Sequence, residues 1–236
     1  MPTRTAVLLS GGLDSAVLVA DEATRGEVHP IYVSVGLAWE EAERQTIVGL
    51  LESGGLGSTV RPLTMLAVDM TDVYSARHWA VDGRPPGYHT PDEAVYLPGR
   101  NIVLLSKAGV YCAAAGIGRL VLGTLDHNPF PDATPAFRSA MGATLSLGLQ
   151  HALQIEAPYA EISKADVIRR GLALDLPLGR TLSCMSPILS PAEYRWPRHC
   201  GLCSKCRERH DAFLEVGVAD TTDYADRKHI GRTSRV

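Results

Sequence analysis

Four of the five cysteines form one pattern, Cys184 followed by Cys200, Cys203 and Cys206, and the opposite end of the chain carries a Ser-Gly-Gly-Leu-Asp-Ser turn from Ser10 to Ser15. The two-residue gaps between Cys200, Cys203 and Cys206 let one loop wrap an ion, and Cys184 completes the tetrahedral thiolate set that Zn²⁺ prefers. Four sulfurs leave no open coordination position, so the expected ion is structural rather than a Lewis-acid catalyst. Disulfides are not expected, because no apolar leader follows Met1 and a reducing cytosol is the expected compartment. Cys112 lies apart in Val110-Tyr111-Cys112-Ala113-Ala114-Ala115, a helical context in which cysteine acts as a small core hydrophobe.

At the glycine turn, Gly11 and Gly12 permit backbone angles and close approaches that side chains forbid. Successive amides from Ser10 through Leu13 and the N-terminus of a following helix can then face an anion, with Ser10 and Ser15 adding hydroxyls. The turn lacks the Gly-Lys-Ser/Thr ending of a Walker A loop, whose lysine reaches the β and γ phosphates, so γ-phosphoryl transfer is not indicated. Asp14 is out of place beside a polyphosphate unless it helps to hold Mg²⁺.

The elements that must position these groups follow from apolar periodicity. Strands are predicted over Thr5–Leu9, Val28–Val35, Thr59–Leu63, Leu120–Gly123 and Leu153–Ala157. Helices are predicted over Asp14–Arg25, Trp39–Leu51, Ile102–Ala115 and Phe137–Leu149. Alternation of this kind predicts an α/β fold: right-handed βαβ units in a Rossmann-like parallel sheet with helices on both faces. Gly83, Pro85, Pro86, Gly87 and Pro91 break Met65–Pro98 into an expected mobile loop near the ligand. After Ser183 the alternation stops; a last helix is predicted over Arg207–Val216, and the polar tail from Arg227 to Val236 is expected to fray. With 236 residues, 45% apolar content and a formal net charge of −3, the chain suits one sizeable core with a small appendage. Such a charge argues against bulk nucleic-acid binding, and no apolar run is long enough to span a bilayer.

The Ser10–Ser15 turn after a first strand resembles the PP-loop of N-type ATP pyrophosphatases, which cleave ATP between the α and β phosphates. Three further segments resemble the 7-cyano-7-deazaguanine synthases of that superfamily. Leu97-Pro98-Gly99-Arg100-Asn101 looks like their PGRN segment, Leu122-Gly123-Thr124 to Phe130-Pro131-Asp132 with Phe137 like their substrate-pocket stretch, and Cys184 with Cys200 to Cys206 like their zinc motif. The resemblance runs in order from Ala6 to Phe213. It implies an adenine nucleotide α-hydrolase-like fold, with residues 1–182 binding ATP and residues 183–236 forming a zinc-binding helical segment packed on them. It also implies a homodimer that uses ATP, Mg²⁺, one structural Zn²⁺ per chain, a 7-carboxy-7-deazaguanine-like acid and ammonia.

In such chemistry most of the catalysis is positioning and neutralisation of phosphate charge. Asp14, Arg100 and Lys164 are the candidates for it, with Ser10, Gly11, Gly12, Leu13, Ser15 and Asn101 in the nucleotide site. A flat deazaguanine calls for a carboxylate, from Asp126 or Asp132, and an aromatic ring, from Phe130 or Phe137. Lys205, Arg207 and Arg209 are placed to offset thiolate charge or to line the pocket mouth. One segment departs from the family: an aspartate-tyrosine-glycine-glutamine run followed by histidine is replaced by Ser34-Val35-Gly36-Leu37-Ala38-Trp39-Glu40, where Trp39 and Glu40 are the candidate substitute pocket surface. Two other readings stay open: a relative that adenylates another acid, stops at the amide or modifies tRNA, and a zinc-ribbon nucleic-acid-binding protein.

Overall fold

The computed structural model describes residues 3–189 and 196–231. Its frame is a five-stranded sheet in the order β3-β2-β1-β4-β5, with every pairing parallel. The strands are β1 (Thr3–Leu8), β2 (Gly26–Ser34), β3 (Thr64–Ala67), β4 (Arg119–Val121) and β5 (Gln154–Glu156). Seven α-helices accompany them among the described residues: α1 (Leu13–Ala23), α2 (Glu40–Glu52), α3 (Trp79–Asp82), α4 (Arg100–Ala115), α5 (Pro135–Leu149), α6 (Lys164–Ala173) and α7 (Ser204–Val216).

Strand side chains alternate between faces, so a sheet covered on both sides needs apolar residues at successive positions. Ala6, Ile31, Val33, Leu120 and Leu122 pack on one face with Leu105, Ala108 and Cys112 of α4. Val7, Tyr32 and Val121 point to the other, against Val17 of α1, Ile47 of α2, Ile168 of α6 and Phe213 of α7. Cys112 is fully buried, and burial pushes its thiol up to about 12, as a core hydrophobe should behave. The chain runs outward from β1 through β2 to β3, then returns to the other side for β4 and β5. The crevice beyond the C-terminal ends of β1 and β4 is therefore the topological switch point where such sheets bind ligands.

The third strand starts five residues beyond its expected place. Val60 makes a single bridge to Val28 and the Arg61 amide reaches the Val28 carbonyl at 2.8 Å, but the next donor from β2 would be Pro30, which has no N–H, and the pairing slips by one residue. Pairing resumes at Thr64–Ala67 against Ile31–Ser34, inside the stretch expected to be irregular. That stretch also holds α3, capped by the His78 side chain, which accepts from the Ala80 amide. Three helices start two or more residues earlier than expected: α4 at Arg100, α5 at Pro135, where Thr134 Oγ1 accepts from the Phe137 amide, and α7 at Ser204. Of the predicted tail, Ile230 is buried in the core, and residues 232–236 lie outside the described residues.

Helix α7 is tied to residues 178–183 through Arg209, which is fully buried. Its guanidinium donates to the Leu178 carbonyl at 2.6 Å, to Thr181 Oγ1 at 2.9 Å, to Ser183 Oγ at 3.1 Å and to Thr222 Oγ1 at 2.7 Å. Next along that segment, the Leu182 amide donates to the Gly11 carbonyl at 2.8 Å, so α7 braces the glycine turn through residues 178–183. Arg209→Ala strands buried acceptors, and it is expected to lower the unfolding free energy by on the order of 3 kcal/mol in urea titration. A loss under about 1 kcal/mol would show the brace to be dispensable.

Candidate functional site

Backbone geometry dictates the glycine turn. Gly11 has a φ of +75°, and a Cβ there would lie 3.1 Å from Thr46 Cγ2 and 3.2 Å from the Glu43 carbonyl oxygen of α2. The serine oxygens stiffen the turn: the Ser10 amide donates to Ser15 Oγ, the Gly12 amide to Ser10 Oγ, and Ser15 Oγ to the Gly12 carbonyl. On the other side Gly123, at the end of β4, lets its loop approach α1 so closely that a Cβ would sit 3.4 Å from the Asp14 carbonyl carbon.

Two cavities meet over this junction. The smaller, about 200 Å³, runs from Ser10, Gly12 and Ser15 along the ends of β1 and β2 to Leu8, Ile31 and Val33. The larger, about 360 Å³, includes Tyr96, Asp126, Phe130, Lys164, Lys205 and Glu208. Asp14, Arg100, Asn101, Gly123 and Thr124 belong to both walls. On this shared wall Asp14 Oδ1, Arg100 Nε and Thr124 Oγ1 are buried without a hydrogen-bond partner among the described residues. Three such atoms, one anionic, one cationic and one hydroxyl, form a site that expects polar ligand groups.

Lys164 opens α6, where the capping Ser163 Oγ accepts from the Asp166 amide. Its ammonium donates to Asp14 Oδ2 at 2.9 Å and to Glu208 Oε1 at 2.6 Å, and Lys205 donates to Glu208 Oε2 at 2.5 Å. Burial pulls the Lys164 ammonium down, but Asp14 and Glu208 outweigh it and hold the group above its ordinary value. Burial likewise raises Glu208, yet Lys164 and Lys205 bring its carboxyl down to about 2.

The larger cavity carries a stacked aromatic pair, Tyr96 on Phe130, with ring centroids 5.0 Å apart. Asp126 also lines this cavity, as does Asp132, both of whose carboxylate oxygens are engaged by Asn101, from its amide at 3.0 Å and its Nδ2 at 3.3 Å. Trp39, Glu40 and Phe137 line neither cavity, contrary to expectation. Glu40 is buried where the chain leaves β2, accepting from the Val35 and Gly36 amides and Ser34 Oγ, and Trp39 stacks on Trp79. Phe137 points into the α4–α5 side of the core. Arg207 and Arg209 are spent on structure, the former holding the Tyr88 and Thr90 carbonyls; Lys205 alone of that trio reaches the cavity. Glu208 and Tyr96 were missed by sequence reasoning. The three-residue offset of Glu208 from Lys205 on a helix was the available signal.

Behind the turn, Cys184, Cys200, Cys203 and Cys206 bring their sulfurs within 4.8 Å of one another, a group able to hold a metal ion. Individual separations are 3.5 Å for Cys203–Cys206, 3.9 Å for Cys200–Cys206 and 4.0 Å for Cys184–Cys203. Amides of Cys200 and Ser186 point at Cys184 Sγ, and that of Leu202 at Cys200 Sγ. No helix among the described residues is long and apolar enough to cross a membrane.

Residues 4–217 match the family model described as queuosine biosynthesis protein QueC. The chain belongs to that family. Similar curated members are the 7-cyano-7-deazaguanine synthases of Anaeromyxobacter dehalogenans, 35% identical over 94% of this chain and 96% of that one, and of Caldicellulosiruptor bescii, 31% identical over 94% and 97%. Among solved structures, a 4-thiouridine synthetase–RNA complex with bound ATP superposes with a TM-score of 0.50 at 13% identity, covering 94% of this QueC-family chain and 47% of that one, which shows a shared fold.

The carboxyl of Glu43, behind the turn, is pushed up to about 7 by burial, against the pull of Arg100 and the hydrogen bond from Tyr32. A raised native value means the folded state binds the proton more tightly, so Glu43's contribution is complete below about pH 4 and is lost as the pH rises through about 7. Between about pH 5 and pH 8 the native chain is expected to lose on the order of 3 kcal/mol more unfolding free energy than Glu43→Gln. Parallel profiles would contradict this.

Proposed function

We propose that this QueC-family chain is an ATP-dependent carbon–nitrogen ligase that makes 7-cyano-7-deazaguanine from 7-carboxy-7-deazaguanine and ammonia. The observation that carries the reading is the pair of cavities joined at Asp14, Arg100 and Thr124, whose orphaned polar atoms face the junction. The names of its relatives supply the substrate class.

In this reading the adenosine lies in the smaller cavity, with the phosphates over the Ser10–Ser15 turn and the N-terminus of α1. The planar acid lies in the larger cavity against Tyr96 and Phe130, with Asp126 accepting from its ring N–H and amino groups. The carboxylate then meets the α phosphorus at the shared wall. Attack of its oxygen breaks the α–β phosphoanhydride bond, giving an acyl adenylate and pyrophosphate. Ammonia displaces AMP, leaving the amide, and a second ATP activates the amide oxygen so that loss of AMP and a proton gives the nitrile. Arg100 and Lys164 offset the charge that gathers on the phosphates, and the fixed turn holds the reacting atoms in line. The orphaned Asp14 Oδ1 is the group to hold Mg²⁺, which supplies charge neutralisation when bound.

The departure at Ser34–Glu40 gives no reason to stop the reaction at the amide, since Trp39 and Glu40 close a turn outside both cavities. Zinc is the proposed occupant of the cysteine cluster, because metal–sulfur bonds of about 2.3 Å in a tetrahedron require sulfur–sulfur edges of about 3.8 Å.

With the acid, ammonia, ATP and Mg²⁺, mass spectrometry is expected to find the nitrile, with AMP and pyrophosphate but no ADP. Asp14→Ala is expected to abolish all three products while the protein stays folded; ADP, or an amide that never converts, would refute the assignment. Elemental analysis is expected to give one zinc per chain. Cys200→Ser is expected to lose zinc and melt at a lower temperature, and unchanged melting would remove zinc from the structural account.

A further inference from the structure

Asp14 offers the nucleotide junction one free oxygen, Oδ1, while its other oxygen is held by Lys164. A cation arriving at that carboxylate therefore competes with an ammonium 2.9 Å away, in a site where the lysine side chain is only 13% exposed and water screens little. Glu208 draws on the same ammonium from the other side at 2.6 Å. Two anions sharing one cation each hold it less completely than either would alone. Lys205 in turn fixes Glu208, and both sit in the first two turns of α7, whose cap is Cys203 and which carries Cys206. Since α6 packs on α7, the cysteine cluster sets the register at which Glu208 meets Lys164.

We propose that Glu208 is a positioning residue: by sharing the Lys164 ammonium, it leaves the Asp14 carboxylate available to a divalent cation that accompanies the nucleotide. The inference rests on the nucleotide site proposed above. Without the Glu208 charge, Lys164 pairs with Asp14 alone and masks it. With the charge in place, Lys164 has a second anchor to which it can lean when a cation takes Asp14. Glu208 touches no reacting atom in this scheme and acts through the lysine.

The test uses the full-length, metal-loaded protein with ATP and Mn²⁺ as the probe, without the acid substrate, and reads Mn²⁺ affinity by electron paramagnetic resonance. Glu208→Gln is expected to weaken Mn²⁺ binding about tenfold, or about 1.4 kcal/mol, with the content of cysteine-bound metal and the melting temperature unchanged. In a Lys164→Gln background, which keeps an amide between the two carboxylates, the same substitution is expected to change Mn²⁺ affinity by less than about twofold. Equal losses in both backgrounds would overturn the proposal, because Glu208 would then act as a charge in its own right. If the double variant does not fold, Glu208→Asp decides, because it keeps the charge but draws the carboxylate back from the ammonium: a loss approaching that of Glu208→Gln supports the shared ammonium, and retention to within about twofold overturns it. A native chain that binds no Mn²⁺ with ATP overturns the nucleotide reading and this inference together. Failure to form the nitrile while the coupling persists refutes only the choice of acid.

Discussion

The fold turns on how closely three backbones can approach one helix end. At the N-terminus of α1, helix α2 comes within van der Waals contact of Gly11, the loop after β4 lies against Asp14 through Gly123, and residues 178–183 hydrogen-bond to the Gly11 carbonyl. Any side chain at Gly11 would push α2 away and would have to adopt a φ that L residues avoid. The two cavities exist because these segments converge without filling the space above the turn. Arg209 matters for the same reason: it fixes from behind a loop that touches the turn from the side.

Charge burial follows the same plan. Lys164 is offset by two carboxylates, and Arg119 of β4 reaches Glu22 of α1 and Glu156 of β5, so both cations are matched. Arg209 is satisfied instead by neutral oxygens, which suits a brace that must hold geometry rather than respond to ligand charge. The responsive charges are concentrated where the cavities join, and the unresponsive one lies behind them.

Much of this was legible in the chain itself. The Ser10–Ser15 turn and the cysteine spacings are local patterns whose chemistry depends on neighbours in sequence, and the alternating apolar runs located four of five strands to within two or three residues. What escaped notice depends on contacts distant in sequence or on a single missing donor. Pro30 displaced β3 by removing one amide from a ladder that otherwise fitted Thr59–Leu63. Glu40 was expected to replace a pocket surface, yet two amides and a hydroxyl at the end of β2 claim it. Glu208 drew no reading from the sequence at all. Its partner Lys164 lies 44 residues away, a relation that no periodicity reveals.

The edges of the sheet carry a consequence of their own. A parallel sheet assembles from contacts far apart in sequence, so its unpaired margins stay exposed while the chain folds. Here the outermost strands are among the shortest, four residues in β3 and three in β5, and Pro62 stands just ahead of the first. Neither margin offers a long ladder of free amides and carbonyls to a passing chain. Pro62, whose position faces away from β2 and has no N–H to offer, thereby works as a gatekeeper against edge-to-edge aggregation.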